Sequence, residues 1–326
     1  MMPARKTERL IERLPAVRGE LGEDVPLARI TWFRVGGSAE IMFRPADRDD
    51  LIHFIANRPG DVNVTVIGVA SNLLVRDGGI PGVTVRLGRG FAVIGIEDAQ
   101  VSAGAAALDI NVARACRDAD VAGLEFLSGI PGTIGGALSM HAGAFGREMA
   151  DVTVAAEAVD DGGLVRTLTL DDLGFSYRRC AVPEEWVFTG VRLKGVAGER
   201  GDIARRMEEI AGTRQGSQPI HSRTGGSTFQ NPPGAKAWEL IEAAGCRGLR
   251  RGGAMVSEQH CNFLINTGSA TADDLEALGE EVRRRVRETS GVTLEWEIRI
   301  VGIAAEVTAD RNSAGNMGGN SNRSEA

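Results

Sequence analysis

Three segments carry polar side chains that could meet a ligand: those of Ser227, of Arg178, and of the polar face holding Glu295, Glu297 and Arg299. Ser227 follows two glycines in Thr224-Gly225-Gly226-Ser227-Thr228-Phe229-Gln230-Asn231-Pro232, and glycine lets a ligand come close to a neighbouring hydroxyl. The esterase elbow needs glycine two positions after its serine; Phe229 stands there, so that motif is excluded. A turn serine bonded to its own backbone explains the same residues. Arg178 closes Phe175-Ser176-Tyr177-Arg178, where aromatic neighbours can cover its stem while the guanidinium faces a carboxylate; an ordinary surface arginine is the alternative. Glu297 shares a polar face with Glu295 and Arg299 on an alternating segment, 292–301, whose other face carries Leu294, Trp296, Ile298 and Ile300. The alternation predicts a strand whose polar face meets either solvent or a site, and composition alone favours solvent.

Two glycine-rich segments carry the binding chemistry. In the first, 68–77, Gly68, Ser71, Asn72 and Leu73 follow an apolar strand, a turn able to aim backbone N–H groups and a hydroxyl at an anion. A plain strand-turn-strand connection fits equally well. The second, 129–146, contains Gly129, Pro131, Gly132, Thr133, Gly135, Gly136, His141 and Gly143. So few side chains leave little to pack, which calls for a flat ligand against backbone or a crowded contact between chain segments. Neither segment is a Rossmann fingerprint or a P-loop, since GxGxxG and Gly-Lys-Ser/Thr are both absent.

Elements that must position these residues are readable from periodicity. Leu10, Ile11 and Leu14 give a short N-terminal helix ending at Pro15. Strands are predicted at 65–67, 83–87 and 91–96, and a helix through Leu108, Val112, Ala115, Cys116 and Ala119. Residues 152–159 and 164–168 form a hairpin across Asp161-Gly162-Gly163. Helices follow through Ile203, Met207, Ile210 and Ala211, and after Thr271 through Leu275, Leu278, Val282 and Val286, with a domain division expected at 196–202. Residues 306–326, rich in Asn, Gly and Ser, read as a disordered tail. The fold class is α+β.

At 326 residues the chain is long enough for two or three domains. A formal charge of −7 argues against nucleic acid as partner. No run is long and apolar enough to span a bilayer and no secretory signal is visible, so a cytoplasmic location is expected. Cys116, Cys180, Cys246 and Cys261 lack CxxC spacing and read as reduced thiols. His53, His141, His221 and His260 form no ligand pattern, so no metal is expected.

Taken together, the chain resembles the UDP-N-acetylenolpyruvoylglucosamine reductases (MurB), FAD-dependent enzymes of peptidoglycan precursor synthesis. The resemblance runs through Thr31-Trp32-Phe33-Arg34-Val35-Gly36-Gly37, both glycine segments, Gly123-Leu124-Glu125-Phe126, Tyr177-Arg178, residues 225–232, Gly253-Ala254-Met255-Val256-Ser257, His260, Asn262-Phe263 and 294–302. It implies a two-lobed FAD-binding region of the vanillyl-alcohol-oxidase (PCMH) type over 31–200, a smaller α+β substrate-binding domain over 201–305, and an N-terminal cover over 1–30. The short interval between Arg178 and Ser227 resembles the compact type II form. The resemblance implies Ser227 as proton donor, Arg178 and Glu297 as its catalytic partners, and Tyr177 and Asn231 as substrate contacts. It also implies non-covalent FAD in the glycine segments, NADPH as co-substrate and UDP-N-acetylglucosamine enolpyruvate as substrate, in a monomer. Three positions depart from the family's usual residues: His141 stands for asparagine, Phe145 for tyrosine and Gln230 for lysine. Arg247, Arg250 and Arg251 could meet the substrate diphosphate or form a solvated basic turn. Another flavin oxidase of the same fold, or a non-catalytic flavin module, remains the competing reading.

Overall fold

The computed structural model describes residues 9–305, so the expected tail and residues 1–8 lie outside the described residues. A first lobe is built on a four-stranded sheet in the order Glu20–Pro26, Ser38–Arg44, Ile80–Val85, Val64–Val66. Its first pair is antiparallel and the others are parallel. Helix Arg48–Asn57 lays Leu51, Phe54 and Ile55 on this sheet, joined by Leu10 and Ile11 of the short helix Leu10–Arg13 and by Leu14 just beyond it.

The second lobe is a five-stranded antiparallel sheet, ordered Val165–Thr169, Thr153–Val159, Val187–Lys194, Gln100–Gly104, Ile94–Glu97. The expected hairpin is its outer pair, turning through Gly163 at φ +83°. Helix Asp109–Asp118 buries Val112, Ala113 and Cys116 in this core. Helix Arg200–Ser217 adds Ile203 and Met207 to the same core. The segment following the expected division at 196–202 thus shares the interior of the lobe before it.

A third unit joins the antiparallel strands Arg250–Arg251, Ala254–Val256 and Leu264–Asn266 to helices Ala237–Ala243 and Ala272–Ser290. The longer helix starts as its sequence demands: Thr271 accepts from the Asp274 N–H, and Asp274 accepts from the Thr271 N–H. Such a reciprocal cap satisfies donors that the first turn otherwise leaves free. Leu275, Leu278, Val282 and Val286 are all buried.

One expected element is shorter than its alternation suggests. Only Arg299–Val301 of the 292–301 segment is strand, and it pairs in parallel with Leu73–Val75 of the first lobe. Upstream, the same segment pairs with a different neighbour: the Gln230 N–H donates to the Glu295 carbonyl and the Glu297 N–H to the Thr228 carbonyl, both at 2.9 Å. The alternation survives, with Leu294 and Ile298 buried, but the chain changes partners midway and the ladder is broken there.

This segment is pressed onto the long helix at Gly279, where an added Cβ would collide with the Trp296 ring. Alanine normally stabilises a helix interior by about 1 kcal/mol over glycine. Here overpacking costs about 1–3 kcal/mol, so Gly279→Ala is expected to lower stability, read as a lower urea midpoint with altered Trp296 fluorescence.

Candidate active site

A cavity of about 1750 Å³ opens where the three units meet. Its walls include the turn containing Gly68, Ser71, Asn72 and Leu73, and Gly129, Pro131, Gly132, Thr133, Gly135, Gly136 and Gly143 from the second glycine segment. Arg178, Ser227 and Glu297 line it as well. Residues far apart in the chain are therefore gathered on one space.

The glycines are needed largely for contacts between chain segments. A Cβ at Gly68 would sit 2.8 Å from Thr133 Oγ1, and one at Gly132 would sit 2.9 Å from Asp109 Oδ2. Thr133 caps the helix Ile134–Ser139, its hydroxyl accepting from the Gly136 N–H at 3.4 Å. The crowded-contact explanation of the glycine run thus holds alongside its place on the cavity wall.

Arg178 sits in a tight turn in which Ser176 and Arg179 exchange backbone hydrogen bonds of 3.0 and 2.9 Å. Its backbone is left-handed, φ +57°, a conformation costing a non-glycine residue on the order of 1–3 kcal/mol. The surrounding contacts hold it there. Nη2 donates to the Gly143 carbonyl at 3.1 Å and Nη1 to the His141 carbonyl at 3.5 Å. Nε lies 3.4 Å from Glu297 Oε1, close enough for an ion pair, yet this buried N–H has no aligned acceptor. The exposed Tyr177 ring lies 5.0 Å from the guanidinium carbon, outside the cavity lining.

Glu297 does not face solvent as composition favoured. Its side chain is 14% exposed, and burial raises its pKa while Arg178 opposes the rise. Ser227 is held by its neighbours, not by its own hydroxyl. Asn262 clamps the segment: its carbonyl oxygens accept from the Thr228 N–H (main chain, 2.7 Å) and the Phe229 N–H (side chain, 3.0 Å). Its Nδ2 donates to the Phe229 carbonyl at 2.8 Å. The Ser227 hydroxyl has no hydrogen bond to a described residue, so the self-bonded turn serine is not what forms.

Two expected contacts turn away from the cavity. His141, with φ +44°, stacks on Phe175 at 4.4 Å. Its Nδ1 meets the Ser176 carbonyl at 2.8 Å and its Nε2 accepts from the Ala150 N–H at 3.3 Å. A carbonyl only accepts, so the proton is on Nδ1 and both ring nitrogens are engaged. His141 therefore braces the Arg178 turn, with both ring nitrogens occupied by main-chain groups. Asn231 is likewise engaged, its Oδ1 accepting from the Ala237 N–H at 2.9 Å at the start of a helix. Gln230 lines the cavity, donating to the Trp296 carbonyl at 3.3 Å.

Arg247 pairs with Glu242, and Arg250 and Arg251 form an exposed strand; none of the three lines the cavity. Sequence reasoning missed several arginines that do, Arg58, Arg86, Arg179, Arg214 and Arg283 among them. Arg86 and Arg214 line it with pKa values lowered by burial, and neither has an ion-pair partner among the described residues. Nothing in their local sequence marks them, because their importance comes from facing the same space. Among the described residues no group of three His, Cys, Asp or Glu side chains could hold a metal ion.

Glycine-walled space, unpaired guanidiniums and a match of residues 39–169 to the FAD binding domain family define an FAD-binding protein of α+β fold. Residues 218–301 match the UDP-N-acetylenolpyruvoylglucosamine reductase C-terminal domain. A UDP-N-acetylenolpyruvoylglucosamine reductase of Parvibaculum lavamentivorans is 61% identical over 94% of this chain and 99% of its own length. One from Rhodospirillum rubrum is 62% identical over 94% of this chain and 98% of its own. The crystal structure of UDP-N-acetylenolpyruvylglucosamine reductase (MurB) from Thermus caldophilus superposes with a TM-score of 0.75 at 35% identity, covering 88% of this chain and all of that one. The chain belongs to the UDP-N-acetylenolpyruvoylglucosamine reductase family.

Because Arg178 holds the Glu297 pKa down against burial, Arg178→Gln is expected to raise it further. Carboxyl-carbon NMR should follow Glu297 titrating at higher pH in the variant; an unchanged or lower midpoint would overturn the assigned electrostatics.

Proposed function

We propose that the protein reduces the enolpyruvyl ether of UDP-N-acetylglucosamine enolpyruvate to UDP-N-acetylmuramate, with FAD as cofactor and NADPH as reductant. The observation that carries this reading is the convergence of Ser227, Arg178 and Glu297 on the glycine-walled cavity. The residues fit the cofactor. The space exceeds the roughly 300–1,000 Å³ of ordinary small-molecule pockets, as a dinucleotide and a nucleotide sugar together require. Gly136 presents backbone where an added Cβ would have only Thr133 Oγ1 nearby, at 3.6 Å. Arg86 and Arg214 have no ion-pair partner among the described residues, Arg214 donating only to the Gln218 side-chain oxygen at 3.3 Å, and so offer the charge that diphosphates demand.

Non-covalent FAD would be held by the glycine segments and would supply the transfer of a hydride from NADPH to the substrate's β-carbon. Hydride addition there pushes negative charge toward the substrate carboxylate. Arg178 meets that charge with a guanidinium already oriented by Gly143 and His141 carbonyls, so little reorganisation is needed as charge develops. Ser227 delivers the proton to the α-carbon. A serine is a weak acid, so the step needs a strongly basic carbon or resupply from water or Glu297. A carboxyl whose pKa burial raises stays protonated further up the pH scale, which suits Glu297 to that resupply. His141 acts by fixing the Arg178 turn, and Tyr177 covers the guanidinium from outside.

The same reading takes residues up to Ser217 as the FAD-binding region, because helix Arg200–Ser217 shares its core. It takes the protein as a cytoplasmic monomer; among the described residues no helix is long and apolar enough to cross a membrane.

Purified protein should be yellow and should oxidise NADPH in a manner dependent on UDP-N-acetylglucosamine enolpyruvate; colourless protein that cannot take up FAD would refute this reading. In Ser227→Ala, flavin reduction by NADPH should persist while flavin reoxidation by substrate slows about 10²–10⁴-fold, the usual loss for a general acid. Equal loss in both half-reactions would instead assign Ser227 to folding or cofactor binding.

A further inference from the structure

Outside the trio, one side chain joins the first glycine turn to the segment carrying Glu297. Asn72 lines the cavity, and its Nδ2 donates to the main-chain carbonyl of Glu297 at 3.0 Å and reaches Met140 Sδ at 3.6 Å. The amide orientation follows from chemistry, because a carbonyl can only accept and must face the nitrogen. The Asn72 carbonyl in turn accepts from the Arg299 N–H at 3.0 Å, where Leu73–Val75 and Arg299–Val301 begin their parallel pairing. Glu297 is consequently gripped on both sides of its Cα, by the Thr228 carbonyl at its N–H and by Asn72 at its C=O.

We propose that Asn72 is a positioning residue that sets the Glu297 carboxyl against Arg178 by way of the Glu297 main chain, linking the cofactor turn to the proton-handling pair. This inference rests on the role given to Glu297 above. Its physical basis is leverage. Among the described residues nothing else donates to the Glu297 carbonyl, so losing the amide donor lets that plane turn and carries the carboxyl with it. Oε1 is already 3.4 Å from Arg178 Nε, so a small displacement separates the two charges. A misplacement of about 1 Å can cost on the order of 10²-fold in rate. The bond is to backbone, so no change at position 297 reports on it; only changes at Asn72 do.

The test uses full-length protein reconstituted with FAD, as Asn72→Ala, Asn72→Asp and each combined with Glu297→Gln. Asn72→Asp keeps the side-chain shape and sets an acceptor against an acceptor, so it carries the test if the alanine variant fails to fold. Expected is flavin reoxidation by substrate slowed by about 30-fold or more, a loss well beyond any change in flavin reduction by NADPH. Glu297, followed by carboxyl-carbon NMR, should titrate higher than in the parent, since it has moved from Arg178. The double variants should be no slower than Glu297→Gln alone. Weakened FAD binding with equal loss in both half-reactions, an unmoved Glu297 titration, or fully additive losses would each overturn the proposal. If Glu297→Gln itself leaves substrate reduction intact, the reading of Glu297 fails and this inference fails with it. If Glu297→Gln abolishes that step and the Asn72 variants do not touch it, only this inference fails.

Discussion

A carboxyl group taken out of water is stable only in its neutral form or beside a well-placed cation, and the architecture around Glu297 is arranged on that condition. The cation is Arg178, 3.4 Å away. Arg178 reaches it only because its turn is left-handed, and that turn is braced by the His141 ring against the Ser176 carbonyl. The Gly143 and His141 carbonyls each accept one N–H from the terminal guanidinium nitrogens, which orients the group and leaves further donors for a ligand. On the other side, Glu297 is delivered by a segment that pairs first with Thr228 and then with the first lobe. The second glycine segment is therefore as much a support for the ion pair as a wall for a cofactor.

The third unit is tied to the first lobe by more than this segment. Asn266 donates from Nδ2 to the Phe33 carbonyl at 2.8 Å, and Arg76 meets both oxygens of Glu276 at 2.7 and 2.9 Å. Asp77 accepts from the N–H groups of Ala272 and Asp273 at the start of the long helix, where the helix dipole favours a carboxylate. These contacts are polar and bridge distant parts of the chain. The side bearing Ser227 and the Thr224 hydroxyl, which is buried without a partner, is held by Asn262 within its own unit. Among the buried polar groups without a partner in the described residues, those of Arg58, Arg178 and Thr224 line the cavity, where a ligand would supply partners.

How far the sequence could be read follows the range of the interactions involved. Local periodicity located the helices Asp109–Asp118, Arg200–Ser217 and Ala272–Ser290 and the 153–169 hairpin, because each needs only its own apolar stripe or turn. The 292–301 segment was legible as alternation but not as a ladder, since its change of partner is decided by residues 228–230 and 73–75. Resemblance alone assigns His141, Tyr177 and Asn231 to ligands. The direction of a side chain depends on a backbone conformation no local pattern announces: His141 at φ +44° turns its ring to Phe175 instead of the cavity. Arg86 and Arg214 were illegible for the opposite reason, being ordinary arginines whose burial against a shared space appears only after folding.

The glycine segments call for the same distinction. A run without side chains invites the inference that a ligand fills the gap, and the wall position of these residues agrees with it. Yet at Gly68, Gly129, Gly132 and Gly143 the obstacle to a larger residue is protein: Thr133, Phe145, Asp109 and Glu148, each within 2.9 Å of an added Cβ. Small residues there let loops stack closely enough to leave a backbone surface facing inward. The ligand space is then a consequence of tight loop packing, so selection for the fold and selection for the site act on the same glycines. Asp109 is the position where this packing is most demanding, since its carboxyl is buried with neither oxygen partnered among the described residues and its pKa is raised by burial. The close approach of Gly132 keeps that carboxyl away from water, and a neutral acid is the form such a place can hold.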